Sequence, residues 1–225
     1  MKEQNQLFIR SITLNKEQIE NKNIYPFNIE ILKNFKKINL TAPVTFLIGE
    51  NGTGNFNFST KDTHSELYKY LTLNKTGIPE TKFFLRAETF YNVSTEIVKL
   101  KEEGYEPIYK FYGGNLHECS HGEAFIKLVQ NRFSKNGLYI LDEPESALSP
   151  SRQMTLLALI NDLVEKGSQF IIATHSPILI AYKNGKILDL NQNFKEVEYQ
   201  ESEIYQTYKM FIERHEEMQK YLFEK

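Results

Sequence analysis

The sequence predicts one α/β domain with a mostly parallel central sheet, flanking helices and antiparallel strands at its N-terminal edge. Three nearly continuous apolar runs are typical of strands buried on both faces of a parallel sheet. They cover residues 44–48, 138–141 and 170–173. Segments with helical spacing of apolar residues separate them. Because parallel strands need crossover connections, this alternation of strand and helix favours a parallel sheet.

The other predicted strands are shorter. Residues 7–14 and 28–40 are β-leaning and mixed with lysine, so we expect edge strands there. Residues 83–85, Phe-Phe-Leu, are a further candidate strand. These segments would supply the antiparallel edge and one more member of the central sheet.

Three helices are predicted from capping residues and apolar stripes. Ser149 and Pro150 mark the start of one helix, and Gly167 marks its end. Residues 123–133 repeat the same apolar spacing. Near the C-terminus, residues 204–222 predict a longer amphipathic helix.

Composition narrows the function classes. The 225 residues carry 27 Lys and Arg against 29 Asp and Glu, a net charge of −2, which gives no sign of a nucleic-acid or membrane surface. The single cysteine, Cys119, excludes an intramolecular disulfide framework and a cysteine-rich zinc site. No apolar run approaches the roughly 20 residues of a membrane span. We therefore expect a soluble, cytoplasmic protein with one domain, 1–225, containing a small helical subregion at about 89–130.

Glycines follow the first buried strand, in the segment Gly49, Glu50, Asn51, Gly52, Thr53, Gly54. At this spacing the backbone can curl with its N–H groups inward, as a nest for phosphate oxygens. The phosphate-loop pattern G-x-x-x-x-G-K-[ST] matches through Gly54 and then fails, since Asn55 and Phe56 follow. A plain glycine-rich turn explains these residues equally well.

Chemically active side chains follow the other two buried strands. Asp142 and Glu143 stand at the end of one, where a carboxylate can hold Mg²⁺ and its neighbour can polarise a water molecule. His175 follows the other, level with the acids, and a neutral imidazole there could contact a phosphate or the water. The alternatives are two acids in a surface turn and a bystander histidine, but the turn would leave the apolar strand before it unexplained.

A fourth motif, Ser120-His121-Gly122-Glu123, opens the helix that precedes the Asp142 strand. Serine followed three residues later by glutamate is a capping box, which is a purely structural interpretation. The helix-start N–H groups and the Ser120 hydroxyl also suit an anion. The His-Gly pair is unusual for simple helix initiation and favours the second interpretation.

In this order, the motifs resemble those of the ABC-type ATPase superfamily of P-loop NTPases. The likeness is nearest to compact, stand-alone bacterial AAA-family ATPases of the SMC-like and RecF-like branch. It covers most of the chain from about residue 7. The motifs that carry it are GENGTG at 49–54, SHGE at 120–123, LDEPE at 141–145, SALS at 146–149 and the histidine at 175.

The resemblance implies ATP and Mg²⁺ as cofactors and a role for each matching residue. Asp142 would bind Mg²⁺, Glu143 would act as general base and His175 would contact the γ-phosphate. Glu88, in the Q-loop place without a glutamine, would be a further metal-ligand candidate. Phosphates would lie on the loop Gly49, Glu50, Asn51, Gly52, Thr53, Gly54. Ser120 and Gly122 would face the nucleotide of a partner subunit, since the superfamily sandwiches ATP within a homodimer or between related ATPase subunits.

The glycine loop departs from the family pattern. Lysine, a hydroxyl residue and a helix should follow Gly54, and Thr60-Lys61 lie too far along and in reversed order to replace them. We interpret this as a missing segment. Hydrogen bonds to charged groups contribute about 1.5–3 kcal/mol each, so nucleotide affinity would fall about tenfold or more. Loss of the helix would also bare one face of the sheet.

Two functions therefore compete: an ATP-binding and ATP-hydrolysing domain with weakened activity, and a catalytically inactive pseudo-ATPase that serves as an interaction module. A transporter subunit is less favoured, because SHGE differs from the transporter signature and residues 88–120 are few for a helical subdomain that couples to a membrane. A long-armed DNA-repair ATPase would need sustained heptads, which are absent. DNA contact would rest on Lys33, Lys36 and Lys37, and a solvated strand edge accounts for these lysines.

Overall fold

The computed structural model describes residues 7–49, 66–87 and 119–223, together with residues 90, 95–96, 99, 103–105, 109, 112 and 114. The strands are β1 (Ile9–Leu14), β2 (Lys37–Asn39), β3 (Val44–Ile48), β4 (Leu71–Lys75), β5 (Thr81–Arg86), β6 (Gly137–Asp142), β7 (Gln169–Ala173), β8 (Gly185–Asp189) and β9 (Lys195–Val197). The helices are α1 (Glu30–Asn34), α2 (His121–Arg132), α3 (Pro150–Glu165), α4 (Glu203–Glu213) and α5 (His215–Phe223).

The central sheet has the order β5-β6-β7-β3-β8-β9. All neighbouring strands in it are parallel except β9, which runs antiparallel to β8. This confirms the predicted α/β class with a mostly parallel sheet. The register aligns one row of residues across five strands, which consists of Arg86, Asp142, Ala173, Leu47 and Leu188.

A second, antiparallel sheet has the order β2-β1-β4. Antiparallel N-terminal strands were expected, but residues 7–14 were predicted as an edge strand and β1 is the central strand of this sheet. The sequence analysis did not predict β4, which pairs with the other side of β1. Buried and exposed positions hardly alternate along β4, because four of its five residues are exposed. Polar composition on both faces hides such a strand from a pattern search.

The prediction of a strand over residues 28–40 is wrong in its first half, where α1 forms. Ile31 and Phe35 recur at helical spacing, and the Phe35 N–H donates to the Ile31 carbonyl at 2.9 Å. Phe35 is buried at the end of this turn against the antiparallel sheet. Only β2 carries the extended backbone that the lysine-rich composition had indicated.

Two apolar layers cover the central sheet. On one face α2 and α3 bury side chains such as Phe125 and Ile160 against Phe46 and Phe170, which are fully buried. On the other face the β2-β1-β4 sheet packs over Ile171 and Leu188. Both faces of the central strand β3 are therefore closed, as parallel strands require.

The missing segment was expected to bare one face of the sheet. In the described part of the chain, β3 is covered on both faces, and Thr45 is only 1% exposed. Exposure is instead found on β5, where the Phe84 ring is 59% exposed. The neighbouring Leu138 and Ile140 on β6 are half-buried. Among the described residues of the central sheet, Phe84 is thus the exposed large apolar side chain.

The helices around the site begin and end close to their predicted limits. α3 starts at Pro150 with Ser149 as N-cap, and Gly167 adopts φ +83° just beyond its end, a conformation suited to glycine. The predicted C-terminal helix is two helices, because Arg214 leaves helical geometry at φ −133°. Neither α4 nor α5 contains a fully buried residue. Ile204 at the start of α4 packs half-buried against the core, whereas Phe211 and Ile212 are exposed. Every described helix is too short or too polar to cross a lipid bilayer.

Gln169 joins the two sheets. Its side chain is 1% exposed, and its amide group accepts from the Ile9 N–H at 2.9 Å and donates to the Ile9 carbonyl at 2.8 Å. The Gln169 side-chain amide thus hydrogen-bonds to β1 in the way that the backbone of a neighbouring strand would. Unpaired buried backbone groups are costly, so this contact fixes the position of β1.

We predict that Gln169→Ala lowers the free energy of unfolding by about 2–3 kcal/mol, because both backbone groups of Ile9 lose their partner. Urea denaturation measures this difference. The control is Gln200→Ala, at an exposed position, which should change stability by less than about 0.5 kcal/mol. Equal stability of the two variants would show that the buried amide contributes nothing.

Candidate functional site

The carboxyl ends of the parallel strands meet at one edge, where backbone hydrogen bonds continue past the strands. The Glu143 N–H donates to the Ala173 carbonyl at 2.9 Å, and the Thr174 N–H donates to the Leu47 carbonyl at 3.1 Å. The Leu190 N–H donates to the Ile48 carbonyl at 2.7 Å. Each turn therefore begins at the same level. In α/β sheets this edge is where ligands bind.

Asp142 ends β6 and shares a face with Ile140, because side chains alternate along the strand. Its carboxylate Oδ2 lies 2.6 Å from the Nε of Arg86, which is the residue paired with it on β5. The Asp142 side chain is 27% exposed and that of Arg86 is 48% exposed. A carboxylate with cation-binding geometry thus already has a cationic neighbour within the chain.

Glu143 turns the chain sharply at the strand end. Its backbone is left-handed, with φ +48°, a conformation that costs a residue with a Cβ roughly 1–2 kcal/mol. The Ser146 hydroxyl donates to the Glu143 carbonyl at 2.7 Å and holds this turn closed. The Glu143 Oε1 atom lies 3.8 Å from Nε2 of His175, and both side chains are more than a third exposed. A carboxylate and an imidazole therefore face each other at the turn that follows Asp142.

Glu145 has a role that the sequence analysis did not assign. Its carboxylate accepts from the Thr174 hydroxyl at 2.7 Å and from the His175 N–H at 2.5 Å. Thr174 is buried, and its hydroxyl oxygen accepts from the Ser176 N–H at 3.0 Å. Glu145 thereby ties the turn after β6 to the loop that carries His175. The sequence shows that Glu145 belongs to the LDEPE segment, but it does not show which groups hydrogen-bond to the Glu145 carboxylate.

The capping box at α2 forms as its sequence predicted. The Ser120 N–H donates to a Glu123 carboxylate oxygen at 3.0 Å, and Arg152 on α3 pairs with the other oxygen at 2.7 Å. Hydrogen bonds from Ser120, helped by the nearby Arg152 charge, hold the pKa of the Glu123 carboxyl below its usual value. The carboxylate therefore stabilises α2 above the ordinary glutamate pKa, and that contribution is lost as pH falls through the lowered value.

Packing explains the glycine in this motif. A Cβ on Gly122 would lie 2.9 Å from Cδ of Arg152 and 3.0 Å from the Ala147 carbonyl oxygen, so a larger residue would require the Arg152 side chain and this turn to shift. His121 makes an edge contact with the Phe90 ring, with centroids 5.2 Å apart. The described contacts of Ser120 and Gly122 are thus with α2, α3 and the turn before α3. The structure brings Asp142, Glu143 and His175 together, whereas it places the cap on the neighbouring helix pair.

Beside His175, on the β3 side, lies a cavity of about 280 Å³ that Gly49, Asp189 and the start of α4 help to line. Its lining carries the carboxylates of Asp189 and Glu203 and no lysine or arginine, so these residues alone would not attract a triphosphate. A Cβ on Gly49 would lie 3.0 Å from Cβ of Leu190, which gives this glycine a packing reason. The other predicted loop residues, Glu50, Asn51, Gly52, Thr53 and Gly54, and also Glu88, lie outside the described residues.

Asp142 is the one carboxylate at this edge that the sequence analysis assigned to Mg²⁺. The described residues contain no group of three or more His, Cys, Asp or Glu side chains able to hold a metal. Mg²⁺ usually takes one or two carboxylates and completes its octahedron with water and phosphate oxygens. Asp142 supplies one such carboxylate at the edge of the sheet, so the chemistry of the residues present suits this ion.

Comparison with solved structures identifies the fold. A bacterial Atm1-family ABC exporter with ATP bound superposes with a TM-score of 0.50 and 14% sequence identity, over 90% of this chain and 42% of the exporter chain. The chain has the fold of an ABC-type ATP-binding cassette domain. The central parallel sheet and the antiparallel N-terminal sheet both belong to this ABC-type fold.

Sequence comparisons agree with a P-loop ATPase of this type. Residues 126–181 match the family model described as AAA domain, putative AbiEii toxin, Type IV TA system. An uncharacterized ABC transporter ATP-binding protein of Haemophilus influenzae is 33% identical over 79 residues, covering 35% of this chain and 30% of the relative. A putative ABC transporter ATP-binding protein of Bacillus cereus is 24% identical over 208 residues, which cover 76% of this chain and 36% of the relative. The ABC-type domain thus spans about a third of the length of these curated relatives.

We predict that Glu145→Ala frees the His175 loop from the turn after β6. The His175 N–H loses its acceptor, so its hydrogen exchange should accelerate by at least tenfold under native conditions. The matched control is Thr174→Val, which removes the Thr174 hydroxyl bond to Glu145 and the acceptor of the Ser176 N–H, but leaves the His175 N–H bonded to Glu145. Amide exchange measured by NMR would contradict the account if the His175 rate were the same in Glu145→Ala and in the parent chain.

Proposed function

We propose that this ABC-type domain binds ATP with Mg²⁺ at the carboxyl edge of its sheet and hydrolyses it slowly. The observation that supports this most directly is the facing pair of Glu143 and His175, 3.8 Å apart and adjacent to Asp142. A carboxylate base, an imidazole and a cation-binding carboxylate are the groups that phosphoryl transfer to water requires. Their convergence at a ligand-binding edge favours hydrolysis over a purely structural role.

Each residue has a distinct part in this proposal. Glu143 accepts the proton of the attacking water, which can reach its half-exposed carboxylate from solvent. His175 holds the water or the terminal phosphate by a hydrogen bond from its imidazole, while Glu145 fixes the backbone beneath it. Asp142 would hold Mg²⁺, which when bound neutralises the charge that develops on the phosphates.

The proposal includes a second subunit. Ser120 and Gly122 stand at the N-terminus of α2, apart from the acids in their described contacts, so they would serve the nucleotide of a partner in a homodimer or with a related ATPase subunit. The order of motifs and the AAA-domain match over 126–181 favour the compact, stand-alone branch of the superfamily. Exposed helix-start N–H groups suit the phosphates that such a partner would present.

An inactive pseudo-ATPase that works as an interaction module is the second candidate. Asn55 and Phe56 stand where the phosphate-loop lysine and hydroxyl residue belong, and this departure is its specific support. Among the described residues, those that line the cavity beside Gly49 include no lysine or arginine. Under this alternative the acids and the histidine are retained for folding, and nucleotide does not bind.

Transport would rest on the similarity to ATP-binding proteins of ABC transporters, and the chain spans about a third of the length of these relatives. The relatives are described as ATP-binding proteins of ABC transporters. The function that we propose is therefore ATP binding and hydrolysis at the carboxyl edge of the sheet. Its test does not depend on a role in transport.

We predict that the parent chain binds a radiolabelled, non-hydrolysable ATP analogue in the presence of Mg²⁺ at millimolar concentration or below. Glu143→Gln should keep that affinity within about threefold and lose turnover by about 100-fold or more, because the amide cannot take the proton. Equilibrium dialysis measures the binding and phosphate release measures the turnover. The control is Glu165→Gln, at the end of α3 near the opposite edge of the sheet, which should change neither.

Two outcomes contradict the proposal. Absence of analogue binding by the parent chain at millimolar ligand would leave the pseudo-ATPase as the function. Equal turnover in Glu143→Gln and the parent would show that Glu143 is not the base, even if ATP binds.

A further inference from the structure

Gln153 is a polar residue within the apolar stripe of α3. The buried residues of this helix are Gln153, Leu156, Ile160 and Val164, which share one face because they recur at helical spacing. Gln153 is only 8% exposed. A leucine or methionine would fill its place without polar atoms, and a buried amide is costly unless it is hydrogen-bonded. The glutamine is therefore explained by its partners rather than by packing.

Both halves of the Gln153 amide have a partner. The nitrogen donates to the Leu148 carbonyl at 3.1 Å, and the oxygen accepts from the Ser176 hydroxyl at 2.5 Å. The Ser176 hydroxyl oxygen in turn accepts from the Ile178 and Leu179 N–H groups, each at 3.1 Å. A hydroxyl group has one proton and two lone pairs. Gln153 therefore takes the one proton that the Ser176 hydroxyl can donate.

These contacts complete a closed network of hydrogen bonds around His175. On one side Glu145 accepts from the His175 N–H, and on the other side Gln153 holds the next residue, Ser176. Gln153 also binds the Leu148 carbonyl, while the Leu148 N–H donates to the Glu145 carbonyl at 2.9 Å. The backbone of His175 is thus fixed both to the turn after β6 and to the start of α3.

We propose that Gln153 is a positioning residue that sets the His175 imidazole opposite Glu143. It acts through Ser176, since their hydrogen bond fixes the backbone directly after His175. More than a third of the His175 side chain is exposed, so a fixed backbone limits the positions that the imidazole can take. The inference rests on the proposed function, in which His175 holds the attacking water or the terminal phosphate. Without Gln153, nucleotide keeps its other contacts, but the imidazole is in place less often.

The first test uses the full chain without nucleotide. Gln153→Met keeps a side chain of similar length but loses both hydrogen bonds. We expect the NMR signals of the His175 imidazole carbons to shift or broaden, and the Ile178 N–H to exchange at least about fivefold faster. The control is Ile160→Val, on the same buried face of α3, which removes a methyl group and no hydrogen bond. It should leave both measurements as in the parent, and thermal melting shows that each variant is folded.

The second test is steady-state ATP hydrolysis with Mg²⁺. Gln153→Met should lower kcat about tenfold and leave KM within about twofold, because the lost contact matters for the reacting geometry rather than for nucleotide binding. Adding Gln153→Met to His175→Ala should lower kcat no further, since the residue that Gln153 positions is then gone. A merely structural role predicts that the two losses multiply, and that Ile160→Val lowers kcat as well.

Ser176→Ala removes the same hydrogen bond from its other partner. It should lower kcat by a similar factor and change the His175 signals in the same way, so it carries both tests if Gln153→Met does not fold. Combined with Gln153→Met it should cause no further loss, because both changes remove one shared contact.

Unchanged His175 signals in the folded variants would overturn the proposal. So would an unchanged kcat in Gln153→Met, or losses that multiply when His175→Ala is added. If the parent chain neither binds nor hydrolyses ATP, the proposed function fails, and the spectra without nucleotide decide whether Gln153 positions His175.

Discussion

The parallel pairing of β6, β7 and β3 in one register is the constraint on which the site depends. Asp142, Ala173 and Leu47 lie in one row, so the chain leaves all three strands at the same level. The first hydrogen bonds beyond the strands, from Glu143 to Ala173 and from Thr174 to Leu47, keep that alignment into the turns. A shift of one residue in any pair would turn the acids to the other face or move His175 away from them.

The aligned strand ends place three acids, Asp142, Glu143 and Glu145, at one edge of the sheet. Each of the three carboxylates has different neighbours. Asp142 has the Arg86 guanidinium, Glu145 has a hydroxyl and a backbone N–H, and Glu143 faces an imidazole. Glu143 also holds left-handed backbone geometry at the strand end. Strain of this kind persists where the surroundings over-determine it, and it is common at functional sites. The edge is therefore stable without a bound ion, yet its groups remain half-exposed and available.

The sequence was informative where burial on both faces dictates composition. The apolar runs that became β3, β6 and β7 could be predicted, and with them the alignment of Asp142, Glu143 and His175. The strand β4 could not be predicted, because its many polar residues leave little alternation between apolar and polar positions. The helix α1 could not be predicted either, because it is a single turn of helix within a lysine-rich stretch. The contacts of Glu145 and Arg86 depend on register between distant strands, which no local pattern encodes. Predictions for Glu50–Gly54, Glu88 and the 89–130 subregion stay predictions.

Gly122 and Gly49 show that a glycine in a nucleotide-binding motif can have a packing reason that does not involve nucleotide. Gly122 is closely packed by Arg152 and Ala147, and Gly49 by Leu190. Neither needs a nucleotide to explain it, so their presence is weaker support for ATP than the facing of Glu143 and His175. The role proposed for this edge depends on side-chain chemistry at the strand ends more than on the glycine spacing.

The most direct test of the central claim is a map of where nucleotide binds. Backbone amide shifts, followed by NMR while Mg²⁺ and ATP analogue are added to the full chain, report each position separately. The account predicts that the largest changes fall at Gly49, Glu143 and His175, while Asn136 and Gly167 at the opposite edge stay unchanged. Changes centred on Asn136 and Gly167, or none anywhere at millimolar nucleotide, would contradict it.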